Sequence, residues 1–155
     1  MASSRKRDDL KGENALMDIQ IYEDIKQGLK SHFKDLNLSK AYNPAVVGFE
    51  PSNPTYPMVK IQEPRNVPFE SFRGRLETIA NLGYKVDIYA KQQVGVSKQD
   101  VARKLMKYCN DYLTCIGLRL VSSNEIENDG QNGDLYHIIL MFNANYFEQR
   151  KTILL

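Results

Sequence analysis

Hydrophobic and polar residues alternate most regularly along the chain between Gly83 and Lys91. One set of alternate positions is apolar and consists of Tyr84, Val86, Ile88 and Ala90. The other set is polar and consists of Lys85, Asp87, Tyr89 and Lys91. A period of two in β-branched and aromatic residues is typical of a half-buried strand. We therefore predict that this stretch is the central strand of the domain.

Two other stretches have apolar residues at the spacing of an amphipathic helix. In Asp18 to Leu36 these residues are Ile21, Ile25, Leu29, Phe33 and Leu36. Between Ser97 and Gly117 they are Val101, Leu105, Tyr108, Tyr112 and Ile116. Asp18 and Ser97 are suitable N-caps, while Asn37 and Gly117 are suitable residues for ending a helix.

Further strands are predicted before and after the central one. They are a short strand within Tyr42 to Glu50, and strands at Tyr56 to Glu63, Leu118 to Asn128, and Leu135 to Phe147. The last two flank NDGQNGD, in which two glycines supply the positive φ that a hairpin turn needs. The order α-β-β-loop-β-α-β-β predicts an α+β fold, mainly an antiparallel sheet with two helices packed on one face.

The segment from Pro64 to Glu77 reads as a long irregular loop because two prolines and a glycine interrupt it. One interpretation is a loop that Phe69 and Phe72 hold against the core. Another is an arm at a subunit interface. A third places its arginines, Arg65, Arg73 and Arg75, against DNA.

The two ends of the chain differ from the middle. Residues 1–16 are rich in charge and poor in apolar residues, which predicts a disordered arm or one that orders against a neighbouring subunit. Residues 17–155 form one predicted α+β domain. The terminal Ile153, Leu154 and Leu155 suggest docking on this subunit or the next.

Composition narrows the classes of function. The 155 residues are 42% hydrophobic and 26% charged, with a net charge of +2, too small to require a nucleic-acid or membrane partner. The sequence has no apolar run of transmembrane length and no signal-peptide core after its basic N-terminus, so an intracellular protein is expected. Cys109 and Cys115 lie about 9 Å apart along one helix and should not form a disulfide.

Catalytic and metal-binding signatures are missing from the sequence. It contains no glycine-rich phosphate loop, zinc-ligand spacing or nucleophile elbow. Asp87 is predicted to point to solvent or an interface, where its charge blocks wrong strand pairing. His137 is predicted to be packed and hydrogen-bonded. We expect no enzyme and no cofactor or metal, although a site built from Asp87 and His137 is an alternative if perturbed acids meet there in a pocket.

The succession of segments resembles the tail-terminator, or tail-completion, proteins of long-tailed bacteriophages, also called minor capsid or head-to-tail joining proteins. The segments that carry the resemblance are YPMVKIQE at Tyr56 to Glu63 followed by Asn66, LGYKVDIYA at Leu82 to Ala90, CNDY at Cys109 to Tyr112 before GLRL at Gly117 to Leu120, and the DG and NG turns before the long final strand. Such proteins are small α+β subunits of a hexameric ring. The charged N-terminal arm departs from this pattern.

The resemblance implies a structural virion protein of the tail or neck, assembled in the host bacterial cytoplasm. Its partners would be copies of itself in a ring, the tail-tube protein, the head-connector protein and, in passing, genomic DNA, with no membrane. The expected interface residues are Arg65, Asn66, Phe69, Phe72, Arg73, Arg75, Asp129, Asn132, Ile153, Leu154 and Leu155. The alternative is a nucleic-acid-binding or processing domain that uses Arg65, Arg73 and Arg75, together with Arg103, Lys104 and Lys107.

Overall fold

The computed structural model describes residues 14–70, 78–130, 133–147 and 152–154, and the side chains of residues 21–63, 83–130 and 133–144. Two helices and six strands follow one another within these ranges. They are α1 (Asn14–Asp35), β1 (Ala45–Val47), β2 (Met58–Glu70), β3 (Thr78–Lys91), α2 (Lys98–Cys115), β4 (Arg119–Asp129), β5 (Leu135–Phe147) and β6 (Thr152–Leu154). The predicted α+β class is confirmed.

The strands form one mixed sheet in the spatial order β1-β2-β3-β5-β4, and β6 also pairs with β5. The prediction that β3 is central is confirmed. The expectation of an antiparallel sheet is wrong at one edge, because β1 runs parallel to β2 while the other pairs are antiparallel. Residues 48–57 carry the chain back to the end at which β1 began, and they do so without a crossover helix.

The predicted irregular loop at Pro64 to Glu77 is also wrong in its first half, because β2 continues as a strand to Glu70. A register shift between Gln62 and Arg65 accommodates Pro64. Within the described strands, β1 pairs with β2 only as far as Lys60. Beyond that point β2 is an edge strand, where a proline without an amide hydrogen is tolerated.

The core lies between one face of the sheet and both helices, as predicted. The helices contribute the buried residues Ile25, Leu29 and Phe33 from α1 and Val101, Ala102, Leu105, Cys109 and Leu113 from α2. The sheet contributes Tyr84, Val86, Ile88 and Ala90 from β3 and Ile138, Leu140 and Phe142 from β5. The two sets of sheet residues pair across the strands, so each helix packs on a continuous apolar surface.

Helix boundaries follow the sequence signals only in part. The helix α1 begins at Asn14, so Asp18 is not its cap, and Ser97 precedes α2 without a side-chain capping hydrogen bond. The predicted stops are confirmed, because Asn37 and Gly117 have φ values of 50° and 106°. Gly28 brings the two helices together, since a Cβ there would overlap the Tyr112 hydroxyl.

The second half of the chain forms the predicted hairpin. Gly130 and Gly133 have φ values of 91° and 63°, and β5 has the predicted bounds. Leu120 is 36% exposed, because β4 lies at the edge of the sheet. Cys109 and Cys115 are both free thiols, as predicted.

Candidate functional site

A buried polar cluster lies on the sheet face opposite the two helices. Asp87 is on that face, as the alternation predicted, but it is 1% exposed rather than directed to solvent. The prediction of an outward charge is therefore wrong. His137 is also buried, at 7% exposed, which confirms that it is packed and hydrogen-bonded.

Three strands bring the members of this cluster together. His137 lies on β5, directly opposite Tyr89 of β3, so Asp87 is its diagonal neighbour on the same face. Asp129, at the end of β4, pairs with Leu135 and is the diagonal neighbour of His137 on the other side. We call Asp87, His137 and Asp129 the Asp-His-Asp cluster.

Both ring nitrogens of His137 contact a carboxylate. Nε2 lies 2.7 Å from Oδ1 of Asp87, and Nδ1 lies 2.7 Å from Oδ2 of Asp129. Ionised carboxylates only accept hydrogen bonds, so both nitrogens donate together only when the ring is an imidazolium. In this arrangement neither nitrogen keeps a free lone pair with which to act as a base or bind a metal. The alternative of a site built from Asp87 and His137 was correct about their proximity.

Neighbouring side chains enclose the cluster. The Tyr89 ring stacks on the His137 ring with 4.2 Å between centroids and 19° between planes. Lys85 places Nζ 3.8 Å from Oδ2 of Asp87, and Lys60 places Nζ 5.7 Å from the centre of the Tyr89 ring. Burial, and next the Asp87 carboxylate, raise the pKa of Tyr89. The cluster is thus a set of compensating charges that is buried at Asp87 and His137 and partly exposed at Asp129.

The cluster also fixes the end of β4. The backbone N–H of Gly130 and the hydrogen bond from His137 lower the pKa of Asp129, with the glycine the stronger cause. Gly130 reaches this position with φ 91°, a conformation that suits glycine. The β4–β5 turn is therefore tied to the buried part of β3 through His137.

Acid is expected to destabilise the protein through Asp129 and Glu125. The pKa of Glu125 is lowered chiefly by its hydrogen bond from Arg103, and both carboxyl groups fall below their ordinary values of 3.8 and 4.5. A group whose pKa is lower in the folded state stabilises the fold above its unfolded pKa and loses that contribution as pH falls through the folded value. The melting temperature should therefore decrease as the pH is lowered below about 4.5.

Thermal unfolding followed by circular dichroism from pH 7 to pH 3 measures this dependence. Asp129→Asn should lower stability at pH 7 and flatten the acid limb, because asparagine has no proton to take up. Ser123→Ala, in the same strand, is the matched control and should leave the slope unchanged. An unaltered slope in Asp129→Asn would contradict the assignment.

The edge strand β4 is the second candidate surface. From Arg119 to Asn128 every residue of β4 is exposed except Ile126, which is half-buried. Val121, which lies in a register shift between Leu120 and Ser122, is 57% exposed. Among the described strands none pairs with the outer edge of β4. Its backbone groups are therefore available to another chain.

The edge strand β1 borders a groove at the opposite end of the sheet. The groove has a volume of about 610 Å³ and lies between the second half of α1 and residues 37–46. Its lining includes Lys30 and Lys34 from the helix and Ala45 and Val46 from the strand. None of the three residues of the Asp-His-Asp cluster lines it, so the two features are separate.

The basic residues of α2 are largely engaged within the subunit. Arg103 forms a two-point ion pair with Glu125, with distances of 3.0 and 3.3 Å. Lys104 places Nζ 4.6 Å from the centre of the Tyr42 ring. Lys107 alone of the three has no such described partner. This face therefore offers little unpaired charge to a phosphate backbone.

The structure describes six of the eleven predicted interface residues. Asp129 belongs to the Asp-His-Asp cluster. Arg65, Asn66 and Phe69 lie on β2 rather than in a loop, and Ile153 and Leu154 lie on β6, which pairs with β5 of the same subunit. The remaining five fall outside the described residues, namely Phe72, Arg73, Arg75, Asn132 and Leu155.

No family model matches the chain, and no curated protein matches its sequence. Of the helices in the described ranges, neither combines the length and apolar character needed to cross a membrane.

Proposed function

We propose that the chain is a structural subunit of a phage tail, a ring-forming tail terminator that caps the tail tube and joins it to the head connector. The order of segments resembles that of tail-terminator proteins, and the α+β fold is consistent with the resemblance. The subunit carries out no reaction in this proposal. Its work is to present surfaces to copies of itself and to the neighbouring rings of the virion.

The observation that carries the proposal is the free outer edge of β4. It offers unpaired backbone groups along an exposed strand of eleven residues, with Leu120 and Val121 exposed beside them. Subunits that assemble head to tail need two different complementary surfaces, one at each end of the molecule. The edges at β4 and β1 lie at opposite ends of the sheet and provide two such surfaces.

The Asp-His-Asp cluster supports this role by holding the β4 edge in place. His137 connects Asp129, at the end of β4, to Asp87, in the centre of the sheet. A surface that is already rigid before binding loses less conformational entropy when its partner arrives. The cluster is thus a clamp that prepares the edge for assembly.

A nucleic-acid-binding role is the competing function, and the described surface favours it less. The net charge is +2, and Lys98, Arg103 and Lys104, three of the four basic residues on α2, have partners within the subunit. DNA that passes through the ring would meet basic residues such as Arg65, Arg73 and Arg75 only weakly. Tight binding with a steep salt dependence belongs to the competing function.

The test is the mass of the purified protein by light scattering at several concentrations, alone and with tail-tube protein, followed by negative-stain imaging. A hexamer or other closed ring in either condition is the expected result. A strict monomer that ignores tube protein and binds DNA with micromolar affinity, lost steeply as salt rises, would overturn the proposal.

A pair of valine variants connects this test to the β4 edge. Val121→Asp places a charge on the exposed edge strand and is expected to reduce assembly. Val94→Asp is the control, because Val94 is fully exposed in the turn between β3 and α2. Equal assembly by the two variants would count against β4 as the contact.

A further inference from the structure

We infer that neighbouring subunits join by sheet extension, with β4 of one copy lying antiparallel beside β1 of the next and the side chains of β4 filling the groove under α1. This inference rests on the proposed function and names the contact that would build the ring. The partner is a second copy of this chain, and the contact is heterologous because the two surfaces differ.

The strand β1 has a free edge inside a groove. Ala45 donates its N–H to the carbonyl oxygen of Pro57, on the β2 side. Because backbone groups alternate in direction along a strand, the N–H and C=O of Val46 point to the other side. That side borders the groove of about 610 Å³ beneath α1. An edge strand beside a helix is a geometry to which an extended chain can add.

The directions of β4 and β1 in the sheet allow an antiparallel contact between two copies. β1 is parallel to β2, and successive antiparallel pairs then reverse direction from β2 to β3, β5 and β4. β4 therefore runs opposite to β1. A rotation about an axis roughly parallel to the strands preserves strand direction and the face that carries the helices. It places β4 of one copy antiparallel to β1 of the next, the arrangement expected when one sheet continues into another.

The β4 edge and the β1 groove carry side chains of opposite charge. Glu125 pairs across the strands with Ile138, whose side chain is in the helix-side core, so Glu125 belongs to the helix side of β4. Glu127 follows two residues later, within the register shift between Ile126 and Asp129. The helix side of the β1 groove carries Lys30 and Lys34. Glu127 and both lysines are exposed, and none forms an ion pair with another described residue. Glu127 on one edge and the two lysines on the other therefore bring opposite charges to the inferred contact.

The strand β4 resists pairing with arbitrary strands. Its ladder is interrupted between Leu120 and Ser122 and again between Ile126 and Asp129, and it carries two glutamates. Bulges and charges on an edge strand oppose addition of an arbitrary strand. Arg103 pairs with Glu125 within the subunit, and a partner with lysines near Glu127 satisfies the remaining charge. The same features that prevent aggregation therefore select the correct neighbour.

Charge reversal tests the contact in the full chain. Lys30→Glu with Lys34→Glu should weaken assembly at least tenfold in concentration, and Glu127→Lys should weaken it in the same direction. Combining the three changes should restore assembly toward that of the unaltered protein, because Glu127→Lys then places a positive charge against the two introduced glutamates. Lys107→Glu, on the exposed side of α2, is the matched control and should have little effect.

Hydrogen exchange provides a second measurement that does not depend on variants. Assembly should slow amide exchange at Val46 and at alternate residues of β4, while the turn around Val94 should be unaffected. Assembly that is insensitive to the charge variants and leaves these amides unprotected would overturn the inference but leave a ring by another contact. Absence of assembly in the unaltered protein, with or without tail-tube protein, would instead overturn the proposed function and this contact together.

Discussion

Asp87→Ala is expected to lower the free energy of unfolding by about 3–5 kcal/mol, the cost of removing one partner from a buried ion pair. The variant leaves His137 buried with one N–H that no longer meets a carboxylate. The Lys85 ammonium, 3.8 Å from the lost carboxylate, also loses its ion-pair partner. The loss should therefore exceed that of an ordinary surface substitution.

Urea unfolding at pH 7, followed by circular dichroism, measures this loss. Asp134→Ala is the matched control, because Asp134 forms an ion pair with Lys91 at 3.5 Å in which both side chains are at least 36% exposed. Such exposed pairs contribute about 0–1 kcal/mol. If the two variants lost the same stability, the buried pairing of Asp87 with His137 would be wrong.

Phe142→Ala is the second large effect, with an expected loss of about 3–5 kcal/mol. Phe142 is fully buried on the helix side of β5, where it pairs with Tyr84 of β3. Truncating its ring removes apolar area from the core and leaves a cavity between the sheet and the helices that neighbouring residues fill only partly. The loss combines the transfer term and the cavity term.

The adjacent Met141 is a control within the same strand. Its side chain lies on the opposite face and is half-buried, so Met141→Ala should cost clearly less than Phe142→Ala. Chemical unfolding of both variants under one condition makes the comparison. A larger loss for Met141→Ala would mean that the faces of β5 are exchanged relative to this structure.

Local pattern was sufficient for the elements whose neighbours lie on a single face. Tyr84, Val86, Ile88 and Ala90 alternate in the sequence and are all buried in the structure. The helix α2 and strand β5 were also predicted nearly to the residue, because a period of 3.6 or 2 is imposed by contact with one apolar surface. Gly117 and Gly130 marked ends correctly because their positive φ is a local requirement.

The sequence pattern did not predict features that depend on which distant strand pairs with a segment. Pro64 and Pro68 are strand breakers in a central strand but are compatible with the free edge of β2. Whether a strand lies at an edge depends on which distant segment pairs with it. The parallel alignment of β1 was missed for a similar reason, since it follows from the route of the connection rather than from the residues of the strand.

The candidate site illustrates this division most clearly. The sequence by itself determined that Asp87 lies on the face opposite Tyr84 and Val86, because alternation along a strand is a local property. Only the tertiary structure decided that this face is closed there, since His137 is 50 positions away and Asp129 is in another strand. Burial of a charge depends on residues that are distant in the sequence. The register between paired strands decides whether those residues lie beside it, and no single segment encodes that register.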